Sequence, residues 1–381
     1  MSRHRVHLAC GVLLLLSGPA RSKTPPKIES NAYTSSQVCG QCHSAIHEKW
    51  KNSMHAMSLE DPVFQTAYVQ AMVSYGGEKS RTCLRCHAPT VQYTKDWELT
   101  QKVTREGITC DFCHTVSNVD LSNPEKPYTI VIGKVKRGPL KKATPSVHHA
   151  ESSELHTRSE FCGGCHEFVG PGGAVVLGTY SEWKSSPYAL EGKQCQDCHM
   201  PVTQSSVVRP EIQAKTARAN LHDLQGGHSE EQVRKAAEVE ILGLKRNGDH
   251  VEVEVTVTNV GSGHMIPTGM PSRALVLEIV ASDKHGRTLE KSQTTFRKVL
   301  ADSLGKALVS DCDLLLQSSQ VLSDNRIAPR EKRRIVTTLA VPRGTAVTIE
   351  AKLYYRYLPM VPVPQEMLIE MGSSQKTLAM D

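Results

Sequence analysis

Ten of the twelve cysteines fall into five copies of one pattern, in which two cysteines three positions apart are followed directly by a histidine. The cysteines are Cys39, Cys42, Cys83, Cys86, Cys110, Cys113, Cys162, Cys165, Cys195 and Cys198, and the histidines are His43, His87, His114, His166 and His199. Two thiols at this spacing lie on one side of a helical turn, so they can form thioether bonds to the two vinyl groups along one haem edge. The next residue then directs its imidazole at the iron as the proximal ligand. The pattern predicts five covalently attached haem c groups.

Two other uses of paired cysteines compete with haem attachment. Zinc ribbons use such pairs as metal ligands, and small exported domains use them in disulfides. Neither requires a histidine directly after every pair. Because 17 of 381 residues are histidine, five such histidines by chance have a probability on the order of 10⁻⁷. Haem attachment is therefore the preferred interpretation.

The remaining histidines are the candidates for the second axial position of each iron. Apart from the five proximal residues and the two near the N-terminus, they are His47, His55, His148, His149, His156, His222, His228, His250, His264 and His285. This number allows every iron to have two histidine ligands, and such sites transfer electrons without binding substrate. We expect the distal ligands to be His55, one of the adjacent His148 and His149 (taken as His149), His156, His222 and His264.

Tyr188 and Cys312 are two further residues with side chains that could take part in chemistry. The segment from Trp183 to Ala189 repeats the register of the segment from Trp50 to Ala56, with Tyr188 in the position of His55. We expect Tyr188 to pack or hydrogen-bond rather than to bind iron. Cys312 has no partner in the predicted mature chain and is expected to be a buried free thiol.

The hydrophobic pattern divides the chain into two domains that must position these residues. Residues 28–241 show short helical patterns and long loops, which predicts a mainly α, haem-packing domain in which the cofactors form much of the core. Residues 242–381 show strictly alternating segments, such as His250–Thr258, that are typical of half-buried strands. About seven such strands predict an all-β, immunoglobulin-like sandwich.

The first 22 residues have the layout of a secretory signal peptide. Arg3 and Arg5 precede an apolar run over residues 8–16, and small residues follow at 18–20. An uncleaved anchor is the alternative, but no later stretch approaches about 18 consecutive apolar residues, so we expect no transmembrane segment in the mature chain. The sequence thus predicts a periplasmic or secreted protein. Its 45 Lys and Arg residues are nearly balanced by 39 Asp and Glu residues. The resulting net charge of +6 does not favour nucleic-acid binding.

Several of these strings together resemble the cytochrome c554 family of multihaem cytochromes. The resemblance covers about residues 30–170 and rests on Cys39-x-x-Cys-His-x6-Trp50-x2-Ser53-x-His55-Ala56, on Cys83-x-x-Cys-His, on Glu106-Gly107-Ile108-Thr109-Cys110-x-x-Cys-His, and on His156 ahead of Ser159-Glu160-Phe161-Cys162-x-x-Cys-His. It implies a mostly helical haem-packing fold, close haem pairs and electron transfer, and it supports His55 and His156 as axial ligands. The sequence differs from the cytochrome c554 pattern in having a fifth haem motif and the predicted C-terminal sandwich.

Three classes of function are compatible with these residues. The leading expectation is an exported pentahaem electron carrier that serves redox partner proteins through mostly bis-histidine haems. A multihaem oxidoreductase acting on a small nitrogen or sulfur compound is the alternative, and it would need one iron with an open position. A non-redox binding or sensor protein that uses the sandwich is a third class. Haem stacking between subunits is also compatible with the sequence.

Overall fold

The computed structural model of the chain describes residues 31–212, 217–357 and 367–379. The predicted leader over residues 1–22 lies outside this range. The described chain has a haem-motif region of short helices and small sheets, followed by a region of long strands. The long strands begin at Ala237, ahead of the predicted boundary at residue 242.

In the first region, short helices contain the whole of the second, third and fifth cysteine motifs and the first cysteine of the other two. The helices are α1 Ser36–Gly40, α2 Ser44–Lys51, α3 Pro62–Tyr75, α4 Gly77–His87, α5 Val91–Thr94, α6 Cys110–Thr115, α7 Glu160–Gly163, α8 Thr179–Lys184, α9 Pro187–Leu190, α10 Cys195–His199 and α11 Glu230–Arg234. Local residues set the bounds of helix α3, because Asp61 caps its N-terminus by accepting from the Phe64 N–H and Gly76 ends it with φ 82°.

Four two-stranded sheets separate these helices, so the description of this region as mainly α is not confirmed. The pairs are β1 Val116–Val119 with β2 Tyr128–Ile130, β3 Val135–Gly138 with β4 His149–Ser152, β5 Phe168–Val169 with β6 Val175–Leu177, and β7 Val202–Ser205 with β8 Ala217–Asn220. The segments between the motifs contain many prolines and glycines, which shorten helices, while short ladders still satisfy their backbone groups.

Seven long strands form two antiparallel sheets in the second region, as the alternating pattern predicts. They are β9 Ala237–Asn247, β10 His250–Asn259, β11 Arg273–Ser282, β12 Thr288–Phe296, β15 Lys332–Ala340, β16 Val347–Tyr357 and β17 Met367–Leu378. The sheet orders are β15-β10-β9 and β12-β11-β16-β17. A small hairpin of β13 Lys298–Ala301 and β14 Gln320–Asp324, with helix α12 Asp311–Gln317 between its strands, extends the domain.

The sandwich core is built from alternate residues of the long strands. Along β10, Val251, Val253, Val255 and Val257 are fully buried, as a period of two requires for a strand with one face on a core. The same core includes Tyr355 and Tyr357 of β16, and Val63 of α3 packs against it. The sandwich therefore contacts the first region where α3 begins.

Candidate functional site

One cavity of about 1800 Å³ runs through the first region and is lined by all five motifs. All ten motif cysteines and all five following histidines line it, although these residues are spread over more than 150 positions of the chain. Every described cysteine is a free thiol. A continuous apolar space lined by thiols and imidazoles fits a core that is completed by covalently attached cofactors.

Four of the five motif histidines are held by backbone carbonyl groups. The Nδ1 atoms of His43, His87 and His199 each lie 2.6 Å from a carbonyl oxygen, those of Val207, Ser58 and Gln225 respectively. His114 makes the same contact with Arg137. An imidazole whose Nδ1–H donates to a carbonyl has its Nε2 available as a metal ligand, and the hydrogen bond fixes the ring orientation.

Four of the five motif histidines also face a second histidine. The ring centroids are 6.2 Å apart for His43 and His148, 6.2 Å for His166 and His55, 6.3 Å for His114 and His222, and 6.3 Å for His199 and His264. Two imidazoles that bind one metal ion from opposite sides, with metal–nitrogen bonds of about 2.0–2.1 Å, place their centroids roughly 6.3 Å apart. The spacing therefore fits an iron atom between the rings of each pair.

Two of the predicted distal ligands are placed differently by the structure. His149 begins strand β4 with an exposed side chain and does not line the cavity. His148 takes its place opposite His43, because side chains of adjacent residues in extended chain point in opposite directions. The ring centroids of His156 and His114 are 5.7 Å apart. The Nε2 atom of His156, however, is engaged with the Cys113 carbonyl oxygen at 3.0 Å. His222 is the better partner of His114, since only its Nδ1 is engaged, with the Asn220 carbonyl.

This placement of the two adjacent histidines gives a testable prediction. Replacing His148 with alanine is expected to convert one low-spin haem to high spin, because the first motif would lose its distal imidazole. Replacing His149 with alanine is the matched control and is expected to leave the ferric absorption spectrum unchanged. Electron paramagnetic resonance of the two purified variants would check this. Equal spectra for both variants, or a change confined to the His149 variant, would contradict the assignment.

The second motif differs from the other four. In the described part of the chain no histidine ring faces His87 at this spacing; the ring nearest to it is that of Phe64, stacked on the imidazole at 3.9 Å. The five predicted distal histidines are thus not distributed one to each motif, because both His156 and His222 lie beside His114.

Burial favours the neutral form of several of the paired imidazoles. Removal from water lowers the pKa of His55 to about 4 and that of His166 to about 3. Burial likewise lowers the pKa of His222 to about 4 and depresses the pKa values of His114 and His264. A neutral imidazole is the form that binds a metal ion, so these side chains need not lose a proton to act as ligands at neutral pH.

Contacts between thiols show which motifs are neighbours. The fourth motif is central, because Cys162 contacts Cys195 of the fifth motif and Cys165 contacts Cys86 of the second. Cys165 also acts electrostatically on Cys113 of the third motif. The first and third motifs meet through a contact of Cys39 with Cys110. All five attachment edges thus belong to one connected cluster.

Tyr188 and Cys312 are placed as the sequence predicts. The Tyr188 hydroxyl donates to the Val260 carbonyl oxygen at 3.0 Å, and the Arg330 guanidinium lies 4.7 Å from its ring centroid. Cys312 is a buried free thiol. Tyr188 is therefore engaged in the contact between the two regions rather than facing a motif histidine as His55 does.

Comparison with known proteins supports this interpretation of the cavity. The model of the family "Cytochrome c554 and c-prime" matches residues 38–115. The fold is similar to the crystal structure of a penta-haem cytochrome c552 from Thermochromatium tepidum, with 23% sequence identity, a TM-score of 0.72, and coverage of 91% of this chain and 99% of that one. The chain is a multihaem c-type cytochrome. The cavity of this cytochrome is accordingly the binding site of covalently attached haem c.

Further structural matches cover less than half of this chain. They include the CARDB domain of a Pyrococcus furiosus protein (11% identity, TM-score 0.20, 38% of this chain and 87% of that one) and a glycosyl hydrolase family 2 member from Bacteroides cellulosilyticus (8% identity, TM-score 0.19, 37% of this chain and 15% of that one). Scores this low carry no functional conclusion. No curated protein matches the sequence. Among the described residues of the cytochrome, no helix has the length and apolar character needed to cross a membrane.

Proposed function

We propose that this cytochrome is an exported electron-transfer protein that carries five haem c groups, four of them with two histidine ligands. The observation that carries the proposal is the set of four histidine pairs at 6.2–6.3 Å. Each pair joins a motif histidine to a distant one, which leaves no free coordination position on the iron between them. The predicted signal peptide supports export, and redox partner proteins are the expected partners.

The connected motif edges support transfer within one molecule. Haem c supplies one-electron redox chemistry when it is bound. The chain's own residues fix the spacing between attachment sites, because the central Cys162 and Cys165 touch the thiols of two other motifs. Burial and the hydrogen bonds at Nδ1 of the motif histidines set the environment that tunes each potential.

The second motif supports a second candidate function at the same site. Because no described histidine faces His87, we propose that its haem has an open position and that the protein also acts as an oxidoreductase on a small molecule. The Ser58 carbonyl oxygen, 2.6 Å from Nδ1, fixes the ring of His87, and Phe64 packs on its face. These contacts orient the imidazole toward the cavity without supplying a sixth ligand.

Spectroscopy of the purified holo-protein tests both proposals. The mass is expected to exceed that of the mature polypeptide by five haems, and the ferric spectrum is expected to combine four low-spin signals with one high-spin signal. After reduction, carbon monoxide is expected to bind at one haem in five. A protein with fewer haems would overturn the pentahaem proposal. An entirely low-spin spectrum without carbon monoxide binding would leave electron transfer in place and refute the open position.

A further inference from the structure

We propose that an acidic redox protein docks on residues 134–148 and exchanges electrons with the haem of the first motif. These residues, called here the basic segment, comprise strand β3 and the loop that leads from it to strand β4. The inference rests on the proposed electron-transfer function and adds to it the docking site and the charge of one partner. The basic segment contains no motif cysteine.

Positive charge without matching carboxylates distinguishes this part of the chain. Residues 126–150 include six lysine or arginine residues and no aspartate or glutamate, although the two signs are nearly balanced over the whole sequence. Two of the six are neutralised by carboxylates from other segments. Lys136 forms an ion pair with the buried Asp111. Arg137 pairs with Glu151 at 2.9 Å.

Three lysines give the basic segment its uncompensated charge. Lys134, Lys141 and Lys142 are exposed, and none of them takes part in an ion pair among those of the described residues. Leu140, which is 38% exposed, stands directly before the last two. A small apolar contact beside unpaired cations suits the weak, limited interfaces of transient electron-transfer complexes. The complementary surface on the partner is acidic.

The basic segment lies at the first motif. His148, its last residue, faces His43 with the ring centroids 6.2 Å apart. Lys141 and Lys142 line the same cavity as these two histidines, although their own side chains are exposed. The cavity therefore reaches the protein surface at the two lysines, and a protein seated on them would lie close to the haem of the first motif.

The first motif also stands at one end of the cluster of motifs. Among the described thiol contacts, Cys39 touches only Cys110 of the third motif. An electron that enters at this end can pass through the third motif to the rest of the cluster. At the fifth motif, another end, Cys198 is influenced by both Asp197 and Lys193, so the charge there is mixed. The charge thus favours the first motif as the docking end for an acidic partner.

An anionic membrane is the other surface that unpaired lysines would attract. Segments that bind such membranes typically carry about four to eight lysine or arginine residues in a cluster. The basic segment has three unpaired lysines, and Leu140 is its one strongly exposed apolar side chain. A protein partner is therefore the better match, and lipid vesicles provide a discriminating experiment.

Reduction of the ferric holo-protein by a reduced plant-type [2Fe–2S] ferredoxin, an acidic one-electron donor, tests the inference in a stopped-flow experiment. One electron leaves the iron–sulfur cluster and reduces one ferric haem, and no proton or atom is exchanged. Replacing both Lys141 and Lys142 with glutamate is expected to lower the second-order rate constant at low salt by roughly 10-fold or more, because electrostatic steering is lost. Added salt is expected to slow the parent protein and not this variant. Photoreduced lumiflavin, an uncharged donor, is expected to reduce both at the same rate.

Replacing both Lys284 and Lys306 with glutamate is the matched control, because these exposed lysines belong to the second region and do not line the cavity. The control changes the net charge by the same amount and is expected to react with ferredoxin like the parent protein. Equal losses in the two double variants would show that total charge alone matters and would overturn the inference. Haem content and the low-spin bands report that each variant is folded.

Two further results would overturn the docking site while leaving electron transfer in place. The first is a parental ferredoxin rate in the Lys141 and Lys142 variant together with a shifted haem spectrum, which would mean that these lysines pair with the haem's own propionates. The second is a parental ferredoxin rate together with lost binding to phosphatidylserine vesicles, which would assign the segment to a membrane. If lumiflavin does not reduce the parent protein at all, the proposed electron-transfer function fails and the inference falls with it.

Discussion

A variant in which Cys162 and Cys165 are both replaced by serine is expected not to accumulate as a folded holo-cytochrome. These two thiols hold the haem at the centre of the cluster, where they contact motifs two and five. An even share of the 1800 Å³ cavity is about 360 Å³ for each haem. At about 24 cal/mol per Å³ of unfilled volume, losing one haem costs on the order of 9 kcal/mol. This is comparable to the whole stability of a typical domain, about 5–15 kcal/mol.

The yield of mature protein and the ratio of haem to polypeptide measure this effect. Replacing the buried Cys312 with serine is the matched control; it removes a thiol that contacts Ser310 but belongs to no motif, and a full yield with all haems is expected. Replacing both Cys83 and Cys86 with serine is expected to lower the yield less. Among the described thiol contacts, this second motif touches only the fourth motif. A stable double variant at Cys162 and Cys165 that carries the remaining haems would contradict a central, space-filling role.

Residue patterns predict the parts of this protein that depend on local spacing. The five motifs and the alternation of β10 follow from residues close together in the sequence. Alternating burial along a strand depends on only a few neighbouring residues, so it can be predicted from the sequence without knowledge of the fold.

The distal ligands could not be assigned in this way. His55 meets His166, and His43 meets His148, across long stretches of chain. The choice between His148 and His149 depends on which side of the extended chain faces the cavity, and the start of β4 decides it. The first region was predicted to be mainly α because short ladders such as β1 with β2 have too few residues to show a clear alternation.

Breaking the buried ion pair between the two regions is expected to have the second large effect, a loss of folding stability. Arg326 and Glu182 meet at 2.7 Å with side chains only 6% and 10% exposed. Replacing Arg326 with methionine is expected to lower the free energy of unfolding by about 3–5 kcal/mol, because Glu182 would be left as an uncompensated buried charge. Asp324, which Arg326 also contacts at 2.7 Å, would lose the same partner.

This pair also positions the turn that carries His264. Arg326 donates to the Pro267 carbonyl oxygen at 3.2 Å, and the Thr268 hydroxyl donates to Glu182 at 2.7 Å. The Arg326→Met variant is therefore expected to weaken the low-spin signal of the fifth haem, whose proposed distal ligand is His264, before the protein unfolds. His199 would keep its own hydrogen bond to the Gln225 carbonyl, so the change would be confined to the distal side.

Urea unfolding followed by far-ultraviolet circular dichroism measures the loss, and the chain offers a close control. Arg330→Met breaks another ion pair between the same two regions, with Glu191 at 2.6 Å, but both of its side chains are about half exposed. Water and salt screen such a pair, so its loss is expected to have a much smaller effect. Adding Glu182→Gln to the Arg326→Met variant should recover part of the stability, because the stranded carboxylate is removed. Equal destabilisation by Arg326→Met and Arg330→Met, without recovery in the double variant, would mean that burial of this pair does not hold the sandwich and its ligand turn against the haem-binding region.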